Sequence, residues 1–112
     1  MPLVSMMSMA SRIQPSRLLP YVLGAALGAE RSVERLAAFL LHLSARQQRR
    51  GGREHHVDLP MTRADIGDHL GLTIETVSRS FSRLKQEGAL YFEHPHHIEL
   101  RDPSRLRELA GQ

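Results

Sequence analysis

The stretch from Thr62 to Gly88, TRADIGDHLGLTIETVSRSFSRLKQEG, constrains the fold of this 112-residue chain more than any other. It reads as two short helices joined by a tight turn. Gly71 closes an amphipathic turn of helix at the point where a left-handed residue is needed to reverse the chain. Gly67 leaves room for a second helix to cross close by, and Val77 supplies the apolar anchor for that crossing. Thr62 caps the first helix, with Asp65 completing a capping box, and Thr73 caps the second. A small residue, a turn glycine and a buried aliphatic at these offsets predict a helix-turn-helix.

The second helix has two chemically distinct sides. At 3.6 residues per turn, Val77, Phe81 and Leu84 share a core face. Glu75, Ser78, Arg79 and Ser82 share a polar face that begins in the first helical turn. Such a face is suited to base edges in a major groove. Arg79 can donate two hydrogen bonds to guanine, Glu75 can accept from cytosine, and Ser78 is small enough to allow close approach. Arg63, Thr73, Thr76 and Arg83 flank the face and suit phosphate contacts, which position a domain without reading sequence. The plainer alternative is a solvated surface with a Glu75–Arg79 pair at i,i+4, worth about 0.2–0.5 kcal/mol. The glycine turn directly before the pair favours the first reading.

Around this unit the pattern predicts a mainly α fold with a small β wing. Residues 1–30 are expected to be poorly ordered or only partly helical, because Pro20, Gly24 and Gly28 weaken any helix there. A winged helix-turn-helix domain is expected over 31–112. Its first helix runs over Ser32–Ala45, with Ser32 as cap and Val33, Leu36, Phe39, Leu40 and Leu43 as one apolar stripe. Arg46–His56, RQQRRGGREHH, reads as a basic loop. Val57–Leu59 reads as a strand, and Ala89–Glu93 and His97–Arg101 as a hairpin around His94-Pro95-His96. Asp102-Pro103-Ser104 opens a last short helix with Leu106 and Leu109 facing inward.

Composition narrows the function classes. The chain has no cysteine, which excludes disulfides, thiolate metal sites and iron–sulfur ligation by this chain. A net charge of +3 suits a polyanionic partner. The five aromatic residues are too few and too scattered for single-strand stacking platforms. Leu18–Ala29 loosely imitates a signal peptide, but Pro20 interrupts its apolar run, so a cytoplasmic protein without a membrane span is expected. His55, His56, His94, His96 and His97 form two clusters with no recognised ligand spacing, so neither a metal site nor a cofactor is expected. No nucleophile elbow or phosphate-binding glycine loop is present, and an enzyme is not expected.

The string LPMTRADIGDHLGLTIETVSRSFSRLKQEGAL, together with LGAERSVERLAAFLLHLSAR before it, resembles the C-terminal DNA-binding domain of the Crp/Fnr superfamily of bacterial transcription regulators. The resemblance covers about Leu27 to Ala110. It implies double-stranded DNA as partner, with RNA polymerase as a further one. It assigns base reading to Glu75, Ser78 and Arg79 and phosphate contact to Thr62, Arg63, Thr73 and Thr76. The E-x-x-S-R pattern is that of the Fnr- and FixK-like branch, whose half-site is TTGAT. Ile74 stands where the cyclic-AMP branch has a base-reading arginine, and Ala64 replaces a polar residue. The family's β-barrel sensor and long dimerisation helix are not expected within residues 1–30. A weak homodimer using Leu18–Leu27 is therefore expected. The alternative is a protein-interaction module, a truncated regulator that heterodimerises with a full-length relative.

Overall fold

The computed structural model describes the backbone from Pro15 to Gly111 and side chains from Gly28 onward. The expectations for residues 1–14, and for Leu18–Leu27 as an association surface, lie outside those described residues and side chains. Four helices and three short strands follow in order: α1 (Pro15–Arg49), β1 (His56–Asp58), α2 (Arg63–Leu70), α3 (Ile74–Gln86), β2 (Leu90–Tyr91), β3 (His97–Leu100) and α4 (Pro103–Leu109). The architecture is a winged helix-turn-helix, mainly α with a small antiparallel sheet, as the sequence predicts.

The first helix departs from expectation. It does not begin at Ser32 but runs unbroken from Pro15 to Arg49, 35 residues, roughly 50 Å at 1.5 Å per residue. The boundary expected at residue 31 falls inside it. Ser32 is not a cap: its hydroxyl donates to the Gly28 carbonyl at 2.6 Å, the back-bond of a serine inside a helix. The part of residues 1–30 that the structure describes, from Pro15 onward, is helical throughout. Once the packed C-terminal half is helical, each further residue adds a hydrogen bond without a new nucleation cost, and this outweighs the weak propensity of glycine.

One core unites these elements. Val33, Leu36, Ala37 and Leu40 of α1 meet Ile66 of α2, Val77, Phe81 and Leu84 of α3, and Leu106 of α4. Val57, Leu90, Ile98 and Leu100 add the inner face of the sheet. The strand order is β1-β3-β2, with Val57 opposite Ile98 and Leu90 opposite Leu100. The outer edge of β1 does not face water alone. The Gln47 amide donates to the Asp58 carbonyl at 2.6 Å and accepts from the Asp58 amide at 2.9 Å, so α1 supplies a side chain where a further strand would otherwise pair.

The turn between α2 and α3 sets the angle at which α3 leaves the domain. Thr62 and Asp65 form a reciprocal capping box, both bonds at 3.1 Å. Gly71 ends α2 in the left-handed conformation at φ 73°. Gly67 is needed for a closer reason than the expected helix crossing: a Cβ there would lie 2.5 Å from the Leu72 carbonyl oxygen, in the turn itself. The Leu72 amide in turn donates to the Gly67 carbonyl at 2.7 Å. Backbone presses on backbone, so no flexible side chain can yield. Gly67→Ala is therefore expected to cost about 1–3 kcal/mol or more. Gly71→Ala, strained only in φ, is expected to cost about 1–2 kcal/mol. Urea denaturation of both variants tests the order; an unperturbed midpoint for Gly67→Ala would refute the close approach.

Candidate nucleic-acid interface

Helix α3 buries Val77, Ser80, Phe81 and Leu84 and turns its other side outward. Glu75, Ser78, Arg79 and Ser82 are all exposed there. The Glu75–Arg79 salt bridge that a solvated surface would favour is not among the ion pairs of the described residues. The Arg79 Nε instead lies at a long 3.5 Å from the Glu75 carbonyl. The carboxylate and the outer guanidinium N–H groups thus project without an internal ionic partner. Ile74, 47% exposed at the leading end of the helix, adds an apolar surface beside them.

The threonines expected to meet phosphate are engaged in caps that leave donor capacity. Thr62 Oγ1 accepts from the Asp65 amide, and its own hydroxyl hydrogen is not used in that bond. Thr73 Oγ1 accepts from the Thr76 amide at 3.2 Å and lies 2.8 Å from Thr76 Oγ1. Whichever hydroxyl donates, the pair keeps one hydrogen for an outside acceptor.

The two flanking arginines are less free than their sequence positions suggest. Arg63 lies half-buried with its guanidinium 3.7 Å from the Phe81 ring centroid and 5.8 Å from that of Phe92. Burial lowers its pKa from the usual arginine value. Phe92 meets Phe81 edge-on at 5.9 Å, and Lys85 donates to the Phe92 carbonyl at 3.1 Å, so the same cluster ties the wing to α3. Arg83 departs further from a free phosphate ligand. It donates to Glu30 of α1 at 3.0 Å and lies 3.6 Å from Glu87. The hydrogen bond to Glu30 is the first cause of its raised pKa. Arg83 therefore braces α3 against α1. Arg35 does the same for α2, donating to the Leu70 carbonyl at 3.2 Å. Glu30 and Arg35 escaped the sequence reading; their i,i+5 placement on α1 gives no local sign of partners on other elements.

Two of the histidines, His56 and His97, form a polar chain with Asp58. His97 lies 2.8 Å from Asp58 through Nδ1 and 3.1 Å from His56 through Nε2. Among the described residues, no group of three or more His, Cys, Asp or Glu is placed to hold a metal ion. Nor, among them, is any helix long and apolar enough to cross a membrane.

With this geometry in place, comparison with known proteins assigns the family. The model of the Crp-like helix-turn-helix domain matches residues 34–109. The chain belongs to this family. It is 48% identical over 85 residues to the nitrogen fixation regulation protein FixK of Bradyrhizobium diazoefficiens, covering 76% of this chain and 35% of that protein. Transcriptional regulatory protein btr of Bordetella pertussis is 47% identical over 88 residues, covering 79% and 36% respectively. The solved structure of FixK2 from Bradyrhizobium japonicum superimposes with a TM-score of 0.63 at 36% identity, over 94% of this chain and 57% of that one. DNR from Pseudomonas aeruginosa gives a TM-score of 0.69 at 26% identity, over 85% and 40%. The chain thus spans about a third of the length of the curated relatives it matches. The relatives are named as regulators, not enzymes. This Crp-like domain keeps the family's helix-turn-helix.

Arg63 has a structural load that a pure phosphate contact lacks. Arg63→Ala is expected to lower folding stability by about 0.5–2 kcal/mol through the lost stacking on Phe81. Chemical denaturation without DNA reads this directly, and an unchanged midpoint would show that the stacking carries no stability.

Proposed function

We propose that this chain binds double-stranded DNA sequence-specifically as the output module of an Fnr/FixK-type transcription regulator. Helix α3 enters the major groove and reads a TTGAT-like half-site. Arg79 is bidentate to guanine, Glu75 accepts from cytosine or orients Arg79, and Ser78 bonds a base edge at close approach. Ile74 offers an apolar contact to a thymine methyl group. Thr62, Arg63, Thr73 and Thr76 hold the flanking phosphates, while Arg83, tied to Glu30, keeps α3 seated. The observation that carries this reading is the exposed, internally unpaired set Glu75, Ser78 and Arg79 on the outer face of a helix whose other face is core.

A single winged module buries roughly 600–1,000 Å² on DNA, so tight binding to a palindrome calls for two copies. The reading therefore includes a homodimer on the two half-sites, with the N-terminal half of α1 as the element available for pairing. RNA polymerase would be met after DNA is bound.

A mobility-shift titration with a TTGAT-N4-ATCAA duplex against a scrambled duplex tests the proposal. Wild type is expected to prefer the palindrome. Arg79→Ala should lose about 1–3 kcal/mol on the palindrome and flatten the preference. Equal affinity of the wild-type chain for both duplexes would instead favour a protein-binding role for the domain.

A further inference from the structure

Beside the outer face of α3 lies a cleft of about 600 Å³, walled on one side by the 28–35 segment of α1 and on the other by the first turns of α3. Four arginines line it, Arg31 and Arg35 from α1 and Arg79 and Arg83 from α3, and no acidic residue does. Arg83 is neutralised from outside the lining by Glu30 and Glu87. Arg35 is committed to the Leu70 carbonyl. Arg31 is exposed and makes no ion pair among the described residues, and the chain before it contains no Asp or Glu except the adjacent Glu30.

We propose that this cleft seats the sugar–phosphate backbone of the bound duplex, with Arg31 as a phosphate contact outside the helix-turn-helix. The inference rests on the DNA-binding reading above and extends its footprint onto α1. Continuity with the base-reading face carries the argument. Arg79, Thr73 and Thr76 belong to both surfaces, so a duplex laid along α3 brings one strand across the mouth of the cleft. Charge complementarity carries the rest. With Arg83 neutralised, the guanidinium groups of Arg31, Arg35 and Arg79, which make no ion pair among the described residues, leave the concave wall positive, so it repels an incoming cation and attracts a polyanion. Arg31 and Arg79 both lack an ion pair among the described residues; with Arg79 assigned to base edges, Arg31 is the one left for the backbone, and a phosphate there gains a partner without breaking an internal bond.

Fluorescence anisotropy on the full chain, with the palindrome and the scrambled duplex at several salt concentrations, tests this. Each Arg31 in contact with a phosphate releases one counterion. Arg31→Ala should therefore lower the slope of log affinity against log salt by about 0.9 per contact and weaken binding roughly 5- to 10-fold at 0.1 M salt. Both duplexes should be affected alike, because the contact carries no sequence information. Arg31→Lys should restore the slope. Arg31 is exposed, and an unchanged circular dichroism spectrum and denaturation midpoint would exclude a folding defect. An Arg31→Ala slope and affinity equal to wild type on both duplexes overturns the cleft as a backbone seat. Loss of palindrome preference in wild type, with the Arg31 slope effect intact, would overturn the base-reading assignment and leave the cleft standing.

Discussion

The close approach of Gly67 to Leu72 governs what the rest of the domain can present. A carbonyl oxygen occupies the space a side chain would need, and a backbone hydrogen bond locks the two residues together. With α2 and α3 held at that angle, the apolar side of α3 can reach the core only through Val77, Phe81 and Leu84. The opposite side, with Glu75, Ser78 and Arg79, is then directed outward by the same constraint. The outward display of these residues is the remainder of a packing solution.

The packing solution is completed by α1, which touches every other layer. Its apolar stripe meets α3, α4 and the sheet. Its polar groups finish what those elements leave open: Gln47 closes the edge of β1, Arg35 meets the end of α2, and Glu30 meets Arg83 of α3. The last two are surface contacts, each worth about 0–1 kcal/mol. Their role is orientation more than stability. Glu30 and the stacking of Arg63 on Phe81 both touch α3, while Arg35 holds the end of α2 before it.

Much of the fold was readable from residue order. The two glycines and the two capping threonines punctuate the helix-turn-helix, and the alternation of Val57, Ile98 and Leu100 with polar neighbours marks the sheet. The outward triad on α3 followed from helical periodicity alone. Failures came where distant residues decide the outcome. Pro20, Gly24, Gly28 and Ser32 read locally as interruption and cap, yet the helix passes through them, because its length is set by packing further along. Arg63 and Arg83 read as free cations because their partners, Phe81 and Glu30, are near only after folding. Arg31, a lone arginine on a helix, carries no motif, and its place at the cleft exists only once α3 packs opposite.

The unbroken course of α1 has a mechanical consequence. Its C-terminal half is embedded among the other elements, while its N-terminal half extends the same helix back to Pro15. A rod clamped at one end converts a small tilt at the clamp into a large sweep at the tip, and the reverse holds with the leverage of its length. A movement of the upstream end would thus swivel the winged domain as one solid piece, without melting a single turn.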